Sequence, residues 1–243
     1  MAKNIKKRSA SHIYFGVNKL TGELKHISEV PSGQKCNCIC AACLQPFEAR
    51  KGTRRRHHFA HVSNYECMYA SEVAIYKAIA EALKQSGFLT LPPVMLRFPA
   101  WHDPELLQEA RRLKIDSVAF ECEPLSYPPL LRVTMQGTPL RILLDFDRYY
   151  DDDDRVELAE EAKAEDYSLL VISMPKIEQD TEFTPDRLQS VLQDNDRTEW
   201  VFSRLEEQWK QKYYAVAVSP PEHGTGNLCP ISFGKYKGKY SAR

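Results

Sequence analysis

Between Cys40 and Cys67 five side chains stand out as candidate ligands for a borderline-soft metal ion: Cys40, Cys43, His58, His61 and Cys67. Zinc takes about four nitrogen or sulfur ligands in a tetrahedron, and ligands two residues apart let one tight turn aim both at the same ion. Cys40 and Cys43 have that spacing. His58-Phe-Ala-His61 and Cys67 offer a second pair after a connecting loop. His61 with Cys67 is the preferred completion, and His58 is the alternative to Cys67. Cys36 and Cys38 are spares, because a Cys-x-Cys pair chelates a tetrahedral ion poorly. Any one of these thiols or imidazoles alone would read as a satisfied core residue. Together they read as a structural zinc centre.

A second chemistry lies between the two ligand pairs. Phe47-Glu-Ala-Arg50-Lys51-Gly52-Thr-Arg54-Arg55-Arg56 has a strand-turn-strand pattern that brings the cations Arg50, Lys51, Arg54, Arg55 and Arg56 together on a loop. A phosphate backbone is one target for such a loop, and a solvated basic loop is the other reading of the same charge run. The chain balances 33 Lys+Arg against 33 Asp+Glu, which excludes a uniformly basic nucleic-acid coat. Any nucleic-acid contact must come from a local patch.

These side chains need elements to position them. A chain of 243 residues, 43% hydrophobic, suffices for a small module and a medium domain. The expected division is an N-terminal hairpin and zinc-binding module at 1–69, an α/β domain at 70–215 and an irregular tail at 216–243. No apolar run reaches membrane-spanning length and the N-terminus has no apolar signal core, so the expectation is a cytoplasmic protein with reduced cysteines. Residues 12–17 and 24–27 flank a Gly22-containing turn and read as a hairpin that braces the knuckle. Val73, Ile75, Tyr76, Ile79, Ala80 and Leu83 have near-helical spacing over 70–85, with Ser71 as N-cap and Gly87 as stop. Glu72 lies in the first turn, where a carboxylate suits the helix dipole. Residues 105–112 read as one or two helical turns. Strands follow over 115–121, 130–135 and 140–146, the last two joined at Gln136-Gly137. Acidic residues 151–154 open a helix to about 165, and 168–174 is an apolar strand buried on both faces. Thr184-Pro185 opens another helix, and 199–213, with Trp200, Phe202, Leu205 and Trp209, reads as a last one.

The series Cys40-x2-Cys43, Arg50-Lys-Gly52, His58-Phe-Ala-His61, Cys67, Ser71-Glu72 and Lys77 resembles the competence protein CoiA-like family, whose members join a Cys/His zinc-binding module to a nuclease-like domain. These motifs cover the stretch from Cys36 to Gln85, and the order of elements carries the likeness on to the strand ending at Met174. The resemblance implies a zinc-ribbon-like module followed by a PD-(D/E)XK nuclease-like α-β-β-β-α-β core with C-terminal helices. In that fold a helix glutamate, an Asp opening the second strand and a Glu-x-Lys on the third hold Mg²⁺ or Mn²⁺, which activates a water beside the scissile phosphate. Glu72 stands for the helix glutamate and Asp145 falls at the family glutamate. Asp147, not Lys, stands two residues later, and Leu131-Arg132-Val133 occupies the place of the strand Asp. Asp116, Glu121 and Glu123 are acidic substitutes, and Lys163 is the candidate migrated lysine. Asp145 and Asp147 also read simply as strand-end caps.

The implied function is a zinc-containing DNA-binding protein with a weak or degenerate Mg²⁺/Mn²⁺-dependent nuclease site, in DNA processing, uptake or phage defence. The other readings are a non-catalytic adaptor, or a structural partner of a larger nucleic-acid or defence complex with the Trp200–Trp209 helix as its protein-binding face.

Overall fold

The computed structural model describes residues 12–63, 67–97, 103–122, 129–146, 152–175 and 182–218. Strands β1 (Phe15–Asn18) and β2 (Leu24–His26) form the expected antiparallel hairpin, and β3 (Cys38–Ile39) adds to the other edge of β1. Asn18 makes the turn by accepting the Leu20 and Thr21 N–H groups on its side-chain oxygen, and Gly22 takes the left-handed conformation at φ +71°. Strands β4 (Phe47–Arg50) and β5 (His58–His61) then pair as an antiparallel ribbon.

Helix α1 (Ala70–Ser86) is buried on most of its surface and ends at Gly87, whose N–H bonds the Leu83 carbonyl in a left-handed C-cap. It starts earlier than the Ser71 cap anticipates: Tyr69 is the N-cap, and the Ser71 hydroxyl donates instead to the His12 carbonyl. After α1 come β6 (Phe88–Leu91), β7 (Val94–Leu96), β8 (Glu105–Gln108) and β9 (Arg111–Lys114), paired β6 with β9 and β7 with β8. The helical turns expected over 105–112 are therefore strands. Leu106 stands opposite Met95 and Arg112 opposite Thr90, and these cross-strand pairings outweigh local helix preference.

The main sheet follows: β10 (Ser117–Glu121), β11 (Leu130–Met135), β12 (Thr138–Phe146), helix α2 (Asp152–Ala164), β13 (Ser168–Met174), helix α3 (Pro185–Gln193), β14 (Thr198–Phe202) and helix α4 (Arg204–Val218). The strands lie in the order β10-β11-β12-β13-β14, antiparallel except for β12 and β13, which run parallel across the α2 crossover. Three strands, a helix and a fourth strand occur in the anticipated order, but β6–β9 stand between α1 and the first of them; the protein is mixed α/β. The helix expected over 199–213 is corrected at its start. Residues Thr198–Phe202 pair with β13 and give that edge its hydrogen-bonding partner, and the helix begins only at Arg204. Trp200 leaves the imagined helical face, since its indole N–H donates to the Pro92 carbonyl at 3.2 Å.

Leu140, Ile142, Leu144 and Phe146 of β12 and Leu170, Ile172 and Met174 of β13 join Val73, Ile79 and Leu83 of α1 in one buried cluster. Leu143, Leu169 and Val171 pack with Ala162 of α2. Side chains alternate along a strand, so the even-numbered residues face α1 and the odd-numbered ones face α2. The first cluster is continuous with Phe15, Cys40, Phe47 and Phe59, so α1 links the N-terminal strands to the main sheet through one core. Among the described residues, no helix is long and apolar enough to cross a membrane.

Candidate metal centre and basic loop

The Cys40–Cys43 knuckle is held by backbone hydrogen bonds. Cys40 N–H donates to the Gln45 carbonyl at 2.9 Å, Leu44 N–H to the Cys40 carbonyl at 3.0 Å, and Ala42 N–H to the Cys40 Sγ at 3.4 Å. Leu44 completes the turn at φ 61°, a left-handed conformation that a leucine accepts only because the surrounding turn imposes it. His61 enters from the end of β5, opposite Phe47, whose ring meets the imidazole edge-on with centroids 4.8 Å apart. Cys67 arrives just ahead of α1, where its carbonyl accepts the Ala70 N–H.

One ligand atom from each of Cys40, Cys43, His61 and Cys67 lies within 4.8 Å of all the others, and His61 Nε2 is 3.2 Å from Cys43 Sγ. A tetrahedron with Zn–S bonds of about 2.3 Å sets its ligands about 3.8 Å apart, so three sulfurs and one nitrogen at this spacing fit zinc. Among the described residues this is the group of three or more His, Cys, Asp or Glu side chains gathered closely enough to hold an ion. Cys67 completes it. His58 points away, with Nδ1 on the Arg56 carbonyl and its ring edge-on to His12. The Cys36 thiol donates to the Phe47 carbonyl and the Cys38 thiol to the Cys36 carbonyl, so both are packed outside the cluster.

Without metal, the thiols share protons unequally. The Cys40 thiol donates to Cys67, which holds Cys67 down at about 6 and pushes Cys40 upward. Burial raises Cys43 and lowers His61. Zinc would displace the remaining thiol protons, so its affinity rises with pH.

The cluster closes the base of the β4–β5 ribbon, and the basic loop is the ribbon's tip. The five cations anticipated there are not equivalent. Arg50 pairs with Glu48 at 2.8 Å, and Lys51 is spent on the Ser28 and Val30 carbonyls, tying the ribbon to the hairpin module. Arg54, Arg55 and Arg56 are exposed at the tip.

The carboxylates are placed differently. Glu72 is buried on the first turn of α1, one turn before Tyr76. The Tyr76 hydroxyl accepts the Leu144 N–H at 2.8 Å and donates to the Leu144 carbonyl at 3.4 Å, beyond the last β11 pair at Ile142. Asp145 is also buried, but its odd position turns it toward α2, where the Arg155 guanidinium lies 4.0 Å from its carboxylate and also pairs with Glu199. Lys163 does not reach inward as a migrated lysine would; it pairs with Glu207 of α4 at 2.6 Å, two turns of α2 beyond Arg155. Asp116 accepts the Gly137 N–H in the β11–β12 turn, and Glu121 pairs with Arg132. Asp147 and Glu123 lie outside the described residues. The residues described do not assemble a carboxylate set for Mg²⁺ or Mn²⁺. Sequence reasoning missed Arg155 as a cation beside Asp145. The alternation Leu144-Asp145-Phe146 was the available signal, because it assigns Asp145 to the sheet face opposite the two large apolar side chains.

Comparison of the chain with protein-family models and with curated proteins gives no match in either.

Proposed function

We propose that this chain is a zinc-stabilised, DNA-binding protein of the CoiA-like, nuclease-fold type, in which any Mg²⁺- or Mn²⁺-dependent cleavage site is weak or degenerate. The observation that carries the reading is the placement of Cys40, Cys43, His61 and Cys67 at the base of a ribbon whose tip exposes Arg54, Arg55 and Arg56. A bound ion there fixes the stem, and the tip offers point charges to phosphates without reading bases. The β10-β11-β12-α2-β13 order of the main sheet, with α1 ahead of it, supports the nuclease-type comparison, while Asp145 faces α2 and not the α1 side on which Glu72 lies, which supports a degenerate site. Zinc would be structural, since all four tetrahedral positions are filled by protein.

The test is DNA binding by fluorescence anisotropy across a salt series. Replacing Arg54, Arg55 and Arg56 by Ala should flatten the log–log salt slope by about one unit per lost phosphate contact. An unchanged slope would remove the loop from the interface.

A second reading, a non-catalytic adaptor, is favoured by the ion pairs. Asp145 is matched by Arg155, and Lys163 by Glu207, so the charges a phosphodiesterase would need are already engaged within the protein.

A further inference from the structure

The β6–β9 ribbon is a cationic surface that neither the metal centre nor the basic loop accounts for. Its inner face carries Leu89, Leu91 and Leu113 against the core. Alternation puts Phe88, Thr90, Arg112 and Lys114 on the outer face, in the register Phe88↔Lys114 and Thr90↔Arg112. The Arg112 guanidinium lies over the Phe88 ring, 4.6 Å from its centroid, and Phe88 is still 43% exposed. Arg111 is exposed at the strand start but stands opposite Leu91, in the register of the inner face, so it flanks the outer face without lying on it. Nearby charges such as Lys84 and Arg132 are matched by Glu81 and Glu121. Arg111, Arg112 and Lys114 have no acidic partner among the described residues. In a chain of net charge +0, two unmatched cations on the face of an exposed aromatic ring, with a third flanking them, are a local excess.

We propose that this ribbon face is a second nucleic-acid contact and that it binds single strands. Arg112 and Lys114 supply the phosphate contacts, and the stacked Phe88–Arg112 pair presents a flat, sequence-tolerant platform for an unpaired base. A duplex keeps its bases stacked inward and cannot use the platform. The inference rests on the nucleic-acid reading above and deepens it by naming the strand form.

The test compares a fluorescein-labelled oligodeoxythymidylate with a labelled duplex of the same length on the full chain, with thermal melts confirming that each variant is folded. Phe88→Ala should weaken single-strand binding about tenfold and leave duplex binding within twofold. Arg112→Ala/Lys114→Ala should lower the single-strand salt slope by about 1.4, from two contacts at about 0.7 each. A salt slope left unchanged by the double variant overturns the ribbon proposal and spares the nucleic-acid reading. Failure of the wild type to bind either form at low salt overturns both. Equal losses for single strand and duplex in Phe88→Ala overturn the single-strand assignment. Poly-glutamate that competes as well as the oligonucleotide shows that the face selects charge alone, and also overturns it.

Discussion

Removing the metal, or its last ligand, should loosen the attachment of the N-terminal strands to α1. The ion would join Cys40 to Cys67 across 27 positions of chain, with His61 between them. Treated as a cross-link of that span, it removes about 3.5 kcal/mol of conformational entropy from the unfolded chain. Near this chain length each kcal/mol moves the melting temperature by about 2–4 °C, so the metal-free protein should melt about 7–14 °C lower. The assay is thermal unfolding by circular dichroism, under reducing conditions, of zinc-loaded, chelated and reloaded protein, with zinc measured by elemental analysis. Cys67→Ala should lose both the zinc and the increment. Cys36→Ala, outside the cluster and more deeply buried than Cys67, should keep the zinc even if it weakens the core. The reasoning is refuted if chelated and zinc-loaded protein melt within about 2 °C, or if zinc stays below about half an equivalent in protein that is nonetheless folded.

Three further outcomes follow from single positions. Tyr76→Phe removes a hydroxyl that serves both backbone groups of Leu144 in a fully buried place, and should destabilise by about 1–3 kcal/mol in urea titrations; a loss under about half a kcal/mol would mean that water replaces it. His26 is nearly fully buried, and burial holds its pKa below the usual value, so below about pH 6.5 the unfolded chain binds the extra proton and stability falls with pH. The urea midpoint should therefore drop less between about pH 7 and about pH 5 in His26→Gln than in the wild type, and parallel curves would refute it. Cleavage of DNA with Mg²⁺ or Mn²⁺ should be weak or absent, because Arg132 and its neighbours stand in place of the strand Asp and Asp147 in place of the lysine, and one missing electrostatic group typically costs about a hundredfold in rate. Brisk cutting abolished by Glu72→Ala or Asp145→Ala would restore the site and overturn the claim of lost activity.

The metal cluster was legible in the sequence because its information is local. Cys-x2-Cys spacing and a His beside a strand end restrict which side chains can converge, and soft ligands in one short stretch have few other uses. The α1 helix, the Gln136-Gly137 turn and the α2 crossover were legible for the same reason: period, caps and turn residues act within a few positions. The choice of Cys67 over His58 was not local. It depends on β5 pairing with β4, which turns His61 toward the knuckle and His58 toward Arg56 and His12. The stretches 105–112 and 199–213 were misread because cross-strand partners decide them, and Thr90 and β13 lie far away in sequence. The same holds for charge. Sequence could count Arg50, Lys51 and Lys163 as available cations, but only packing brings Glu48, the Ser28 and Val30 carbonyls and Glu207 within reach of them. A charge is available to a ligand only when folding leaves it without a partner, and that is a property of the assembled surface.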